Sequence, residues 1–120
     1  MDHFSQEELA DALREVSSSI SRCEKMQPKF AEGTSQYSLL KNRIRALYIS
    51  KALITGDDII KSYTREDLAK ALPPVSSIIS KTEKAQSKYE EGTTPYKRFQ
   101  PIIKAMRIAK SLIEHELGQR

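Results

Sequence analysis

A chain of 120 residues that is 38% apolar and 30% charged suits one globular domain and excludes an extended disordered tail as its main content. No apolar run approaches the ~20 residues of a membrane-spanning helix, so no membrane partner is expected. A single cysteine, Cys23, excludes an internal disulfide and, with a net charge of only +4, suits a reducing compartment and a modest electrostatic field.

The chain matches itself when shifted by 59 positions, without a gap from Phe4 on Tyr63 to Ile54 on Ile113. Leu9, Ala12, Leu13, Val16 and Ile20 fall on Leu68, Ala71, Leu72, Val75 and Ile79. Glu24, Lys25, Gln27, Lys29, Gly33 and Tyr37 fall on Glu83, Lys84, Gln86, Lys88, Gly92 and Tyr96. Roughly half the aligned positions are identical, which reads as a tandem duplication of one supersecondary unit. The expected organisation is a single domain with repeat 1 at about 4–54, a linker at 55–62, and repeat 2 at about 63–113 with an extended last helix.

In chain order, Met1-Asp2-His3-Phe4 has neither the basic nor the apolar segment of a secretion signal, so a cytoplasmic location is expected. Ser5 is placed to cap a first helix whose opening turns carry Glu7, Glu8, Asp11 and Glu15. Leu9, Leu13, Val16, Ile20, Cys23, Gln27 and Phe30 alternate in steps of four and three, the seam of a helix packed at a shallow angle. Pro28 predicts a bend near its end, and Gly33 a left-handed residue where it stops.

The second helix is predicted over about 35–54, capped by Thr34 or Ser35. Tyr37, Leu40, Ile44, Leu47 and Ile54 form one apolar stripe, and Ala46, Ile49 and Leu53 another. Two stripes predict a more buried helix than the first. Thr55-Gly56-Asp57-Asp58 closes the unit, and Ile59-Ile60 bridges to Tyr63.

Thr64 caps the third helix, with Leu68, Leu72, Val75, Ile79, Thr82, Gln86 and Tyr89 as its seam. Pro73-Pro74 replace Arg14-Glu15, and paired prolines predict a break there. Gly92 again predicts the stop, Thr93 or Thr94 the next cap, and Pro95 the first turn of a helix over about 94–117 that Pro101 should bend. No strand pattern occurs. The expected fold is all-α: two hairpins related by a pseudo-twofold axis in a four-helix bundle, the first helix of each repeat open to a break.

The residues offer little chemistry. His3 and His115 are unrepeated, paired cysteines are absent, and the four glycines are isolated, so no catalytic, metal-binding or cofactor-binding set is expected and no enzyme is predicted. Cys23 faces Thr82 in the alignment, which marks it as a packed side chain.

Two surfaces remain. Glu24, Lys25, Gln27, Lys29 and their counterparts Glu83, Lys84, Gln86 and Lys88 form a repeated polar face, a candidate surface for a protein partner. Gln27 and Gln86 interrupt the apolar seam, as buried amides bonded to the hydroxyls of Tyr37 and Tyr96 or as the polar floor of a groove. The alternative partner is nucleic acid: Lys41, Arg45, Lys97, Lys104 and Arg107 lie in basic lines on the second helix of each repeat and could contact phosphates. The predicted role is a small non-enzymatic protein-interaction or adaptor module, present as a monomer or weak homodimer.

Overall fold

A computed structural model describes residues 4–120, and every regular element in them is helical. His3 lies outside the described residues. Four α-helices form in chain order: α1 (Gln6–Met26), α2 (Ser35–Thr55), α3 (Arg65–Gln86) and α4 (Thr94–Gln119). Short 3-10 turns follow α1 (Gln27–Lys29) and precede α3 (Asp58–Ser62).

The helix starts obey local chemistry. Ser5 accepts from the Glu8 amide while the Glu8 carboxylate accepts from the Ser5 amide, and Thr64 and Asp67 repeat this reciprocal cap on α3. Thr34 and Thr93 cap α2 and α4 by accepting from the amides of Tyr37 and Tyr96. Gly56 ends α2 in the left-handed region, and Asp57 then caps the turn that leads to α3.

Three features depart from expectation. First, α3 runs unbroken through Pro73 and Pro74. Each proline removes one helical hydrogen bond, yet the carbonyls left without donors belong to the exposed residues Ala69 and Lys70, where water reaches them. Buried Leu68, Ala71, Val75 and Ile79 on the opposite face hold the helix through the gap. Tertiary packing therefore outweighs the local preference. Pro101 likewise sits inside α4 without interrupting it.

Second, α1 ends at Met26 and α3 at Gln86, before the seam spacing runs out. Pro28 accounts for the first ending only in part, because Ser87 stands at its counterpart position and α3 still stops. There the Ser87 hydroxyl donates to the Lys84 carbonyl at 2.7 Å, a side-chain bond that competes with the helical ladder. Third, Gly33 and Gly92 both take φ +88°, but in the loops just before the Thr34 and Thr93 caps and not at the helix ends.

Packing is uneven. α1 touches α2 and α4, and α3 touches α4 and α2; α2 and α4 also meet, whereas α1 and α3 do not. The central pair is thus in contact with every other helix, as its double apolar stripes require. The overall extents of 42 × 41 × 19 Å describe a flattened bundle. Its core is made of counterpart positions: Val16 with Val75, Leu47 with Met106, Ile49 with Ile108 and Ile54 with Ile113 are all buried. Each such side chain contributes about 1.5–3 kcal/mol on burial.

Candidate binding surfaces

The basic lines on α2 and α4 are largely occupied by carboxylates. Arg45 Nη2 lies 2.7 Å from Asp67 Oδ1, and Lys104 Nζ lies 3.4 Å from Glu8 Oε2. Arg107 pairs with Glu83. Lys41 and Lys97 are exposed and have no carboxylate partner among the described residues.

Glu8 and Asp67 each do two jobs. One carboxylate oxygen accepts from the amide of the capping residue, at 3.0 Å for Ser5 and 2.9 Å for Thr64. The other oxygen meets a cation on a helix of the opposite half, Lys104 or Arg45. The bond from the cap amide, aided by the facing cation, holds both carboxyls below their usual range. The acidic opening turns of α1 thus neutralise part of the basic line, through Glu8 and Lys104. The Ser-x-x-Glu and Thr-x-x-Asp spacings signal the caps, but nothing local signals the second partner.

The repeated polar face divides into two separate regions, one at the end of α1 and one at the end of α3. In the first, the Tyr48 hydroxyl donates to Glu24 at 2.9 Å, and this bond, which deprotonation would lose, raises the Tyr48 phenol, with a smaller contribution from the Glu24 charge. In the second, Arg107 takes the place of Tyr48 against Glu83. Lys25, Lys29, Lys84 and Lys88 remain exposed. Gln86 is buried, and its Nε2 donates to the backbone carbonyl of Tyr96 at 3.1 Å, not to the tyrosine hydroxyl. Gln27 is only half-buried, in the 3-10 turn after α1. The tip of the second hairpin also carries an aromatic pair, the exposed Tyr89 stacked on the half-buried Phe99 with centroids 6.1 Å apart.

Two grooves lie where the halves meet. One, of about 430 Å³, runs between α1 and α4. The other, of about 570 Å³, runs between α2 and α3. Their floors use counterpart residues, Ala12, Ala105 and Ile108 in the first and Ala71, Ala46 and Ile49 in the second. Each is crossed by one of the ion pairs just described, Glu8 with Lys104 or Asp67 with Arg45. The walls differ. Asp11, Arg14 and Glu15 line the first, whereas Lys70, Pro73 and Pro74 line the second, joined there by Leu39.

Isolated polar groups complete the inventory. Cys23 is buried among core residues, and burial raises its thiol. His115 is half-buried near the end of α4, and the described residues contain no group of three potential metal ligands. Arg43 Nε and Nη2 are buried without a hydrogen-bond partner, at a position whose counterpart is the apolar Ile102. Among the described residues no helix is long and apolar enough to cross a membrane. Compared with protein-family models, curated proteins and solved structures, the chain finds no match.

Proposed function

We propose that this chain is a non-enzymatic helical binding protein whose partner is another protein, engaged at the grooves between its halves. The observation that carries this reading is the pairing of two grooves with the same apolar floor but different walls. An apolar floor under a polar rim is the anatomy of a protein-recognition site. We also read the chain as a tandem duplication with a pseudo-twofold arrangement. The matched caps of α1 and α3, the matched ion pairs and the matched core positions support that reading. In it, one groove is free to diverge for binding while its counterpart keeps to the fold.

The nucleic-acid alternative is weakened by charge pairing. Three of the five candidate phosphate contacts, Arg45, Lys104 and Arg107, already face carboxylates. A phosphate would have to displace Asp67, Glu8 or Glu83 before reaching these cations, and fewer counterions would be released per phosphate neutralised. The test is fluorescence anisotropy with short double-stranded DNA and single-stranded RNA at about 50 and 200 mM salt, where phosphate-driven binding changes steeply. No saturable binding is expected at either salt. Micromolar binding that weakens with salt, and is lost when Lys41, Arg45, Lys104 and Arg107 become glutamine, would overturn the protein-partner reading.

A further inference from the structure

The grooves between α1 and α4 and between α2 and α3 share their floor and their ion-pair bar, so the fold requires both. It does not require Pro73-Pro74. At the counterpart position Arg14-Glu15 support the same unbroken helix. Placing two prolines mid-helix removes hydrogen bonds, and the compensation is local. The prolines replace two charged side chains with rigid apolar walls that lose no rotamer freedom when covered.

Leu39 extends this wall from α2 and is 49% exposed. Its counterpart is Arg98, and neither Arg98 nor any leucine lines the first groove. The α2–α3 groove is the larger of the two and is lined by six apolar residues against four in the α1–α4 groove, where Pro101 is the one proline, and none of the described residues covers it.

The charges diverge in the same direction. On the α1–α4 groove Glu8, Asp11 and Glu15 stand against Arg14 and Lys104, one negative charge in excess. On the α2–α3 groove Arg45 and Lys70 stand against Asp67, one positive charge in excess. The exchange of Asp11 for Lys70 is the step that reverses the sign. Lys70 also touches Glu66 at 2.8 Å, but both side chains are more than 70% exposed, and such a surface pair yields readily to another carboxylate. Lys41, exposed and without a carboxylate partner among the described residues, lies one helical turn before Arg45 and adds to the positive rim.

We infer that the α2–α3 groove receives an acidic amphipathic helical segment of a partner protein, its apolar face on Leu39, Ala46, Ala71, Pro73 and Pro74 and its carboxylates toward Lys70 and Lys41. The inference rests on the protein-binding reading and specifies the partner's chemistry. A groove between two helices accepts a helix through apolar side chains spaced one turn apart. The excess positive rim then selects acidic over basic flanks and sets the segment's direction.

The test uses the full chain, labelled with nitrogen-15, and two synthetic peptides of about 14 residues with the same helical leucine spacing. One carries glutamates on its polar face and the other lysines. The glutamate peptide should shift the amides of Asn42, Ala46, Ala71 and Ser77 and bind about fivefold tighter than the lysine peptide, the size of one surface charge interaction. Lys70→Glu, at a solvent-exposed position, should erase that preference without altering the helical circular-dichroism spectrum. Leu39→Ser should weaken the glutamate peptide about tenfold, as loss of a buried anchor does.

Equal binding of both peptides, shifts at Ala12, Gln100 and Ala105 in place of the α2–α3 groove, or no shifts at all would each overturn the inference. The protein-binding reading fails separately, through salt-sensitive binding of DNA or RNA in the anisotropy assay.

Discussion

The two halves use the same architecture differently. In the half formed by α1 and α2, Leu40 sits in the core with the half-buried Phe30 packed against it, Tyr48 satisfies Glu24, and Arg14-Glu15 keep the outer face of α1 charged. In the half formed by α3 and α4, the tip carries the Tyr89–Phe99 stack with Tyr89 exposed, Arg107 satisfies Glu83, and Pro73-Pro74 turn that outer face apolar. Most large core positions agree, while the surface divides: Glu24, Lys25 and Lys29 recur as Glu83, Lys84 and Lys88, whereas Arg14-Glu15 and Leu39 stand opposite Pro73-Pro74 and Arg98. Packing density penalises any change of volume in the core, and solvent penalises almost nothing on the surface.

The comparison can be broken at the core first. Leu47 and Met106 are counterparts and both are 0% exposed. Leu47→Ala and Met106→Ala should each cost about 3 kcal/mol, within the range for truncating large core side chains. Urea unfolding of both variants checks this. A gap of more than about 2 kcal/mol between them would show that one half, not both, carries the stability.

A smaller effect of opposite sign is expected at Arg43, where two guanidinium nitrogens are buried unpaired while Ile102 stands at the counterpart position. Arg43→Ile should raise stability by about 1 kcal/mol, because an unsatisfied buried donor is replaced by apolar contact. A lower urea midpoint for this variant would mean that the guanidinium is satisfied by water or by a ligand and is not a defect of the first half.

The smallest effect is in the titration of Glu8 and Asp67. Both folded values are depressed, so their contribution is complete above the ordinary values of 4.5 and 3.8 and is lost as pH falls through the lower folded values. Urea midpoints measured downward from about pH 5 should fall, and the Glu8→Gln, Asp67→Asn double variant should flatten that part of the profile. Because the two carboxylates occupy matching sites, each single variant should remove a comparable share of the slope.

Much of the fold can be read from the chain because periodicity and capping are local. Ser5 and Thr64 cap where their sequence places them, and Thr34 and Thr93 are the caps out of the two candidates at each later helix start; the double stripes mark α2 as more buried than α1, whereas α4 buries about the same share of its residues as α3. The prolines mislead because a sequence carries the local penalty of Pro73-Pro74 but not the packing of Leu68, Ala71, Val75 and Ile79 that overrides it. The helix ends at Met26 and Gln86 mislead for the reverse reason, since the apolar seam continues past them into the loops.

The candidate surfaces are less legible still. Lys41, Arg45, Lys97, Lys104 and Arg107 form basic lines only until the opposite half supplies Asp67 and Glu8 and the preceding helix supplies Glu83. A groove made from counterpart residues of different helices has no signature in any one segment. Gln86 is recognisable as a buried amide, but its partner, the Tyr96 carbonyl, is visible only once the hairpin is closed.

The double use of Glu8 and Asp67 has a consequence for how the molecule opens. Each carboxylate ties the first turn of its own helix to a cation on the other half, so neither α1 nor α3 can fray at its start without also loosening the contact across the middle. With α2 and α4 also touching all the other helices, each hairpin shares contacts with the other along both of its helices. Amide hydrogens in the cores of all four helices are therefore expected to exchange through one shared global event, which native-state hydrogen exchange checks.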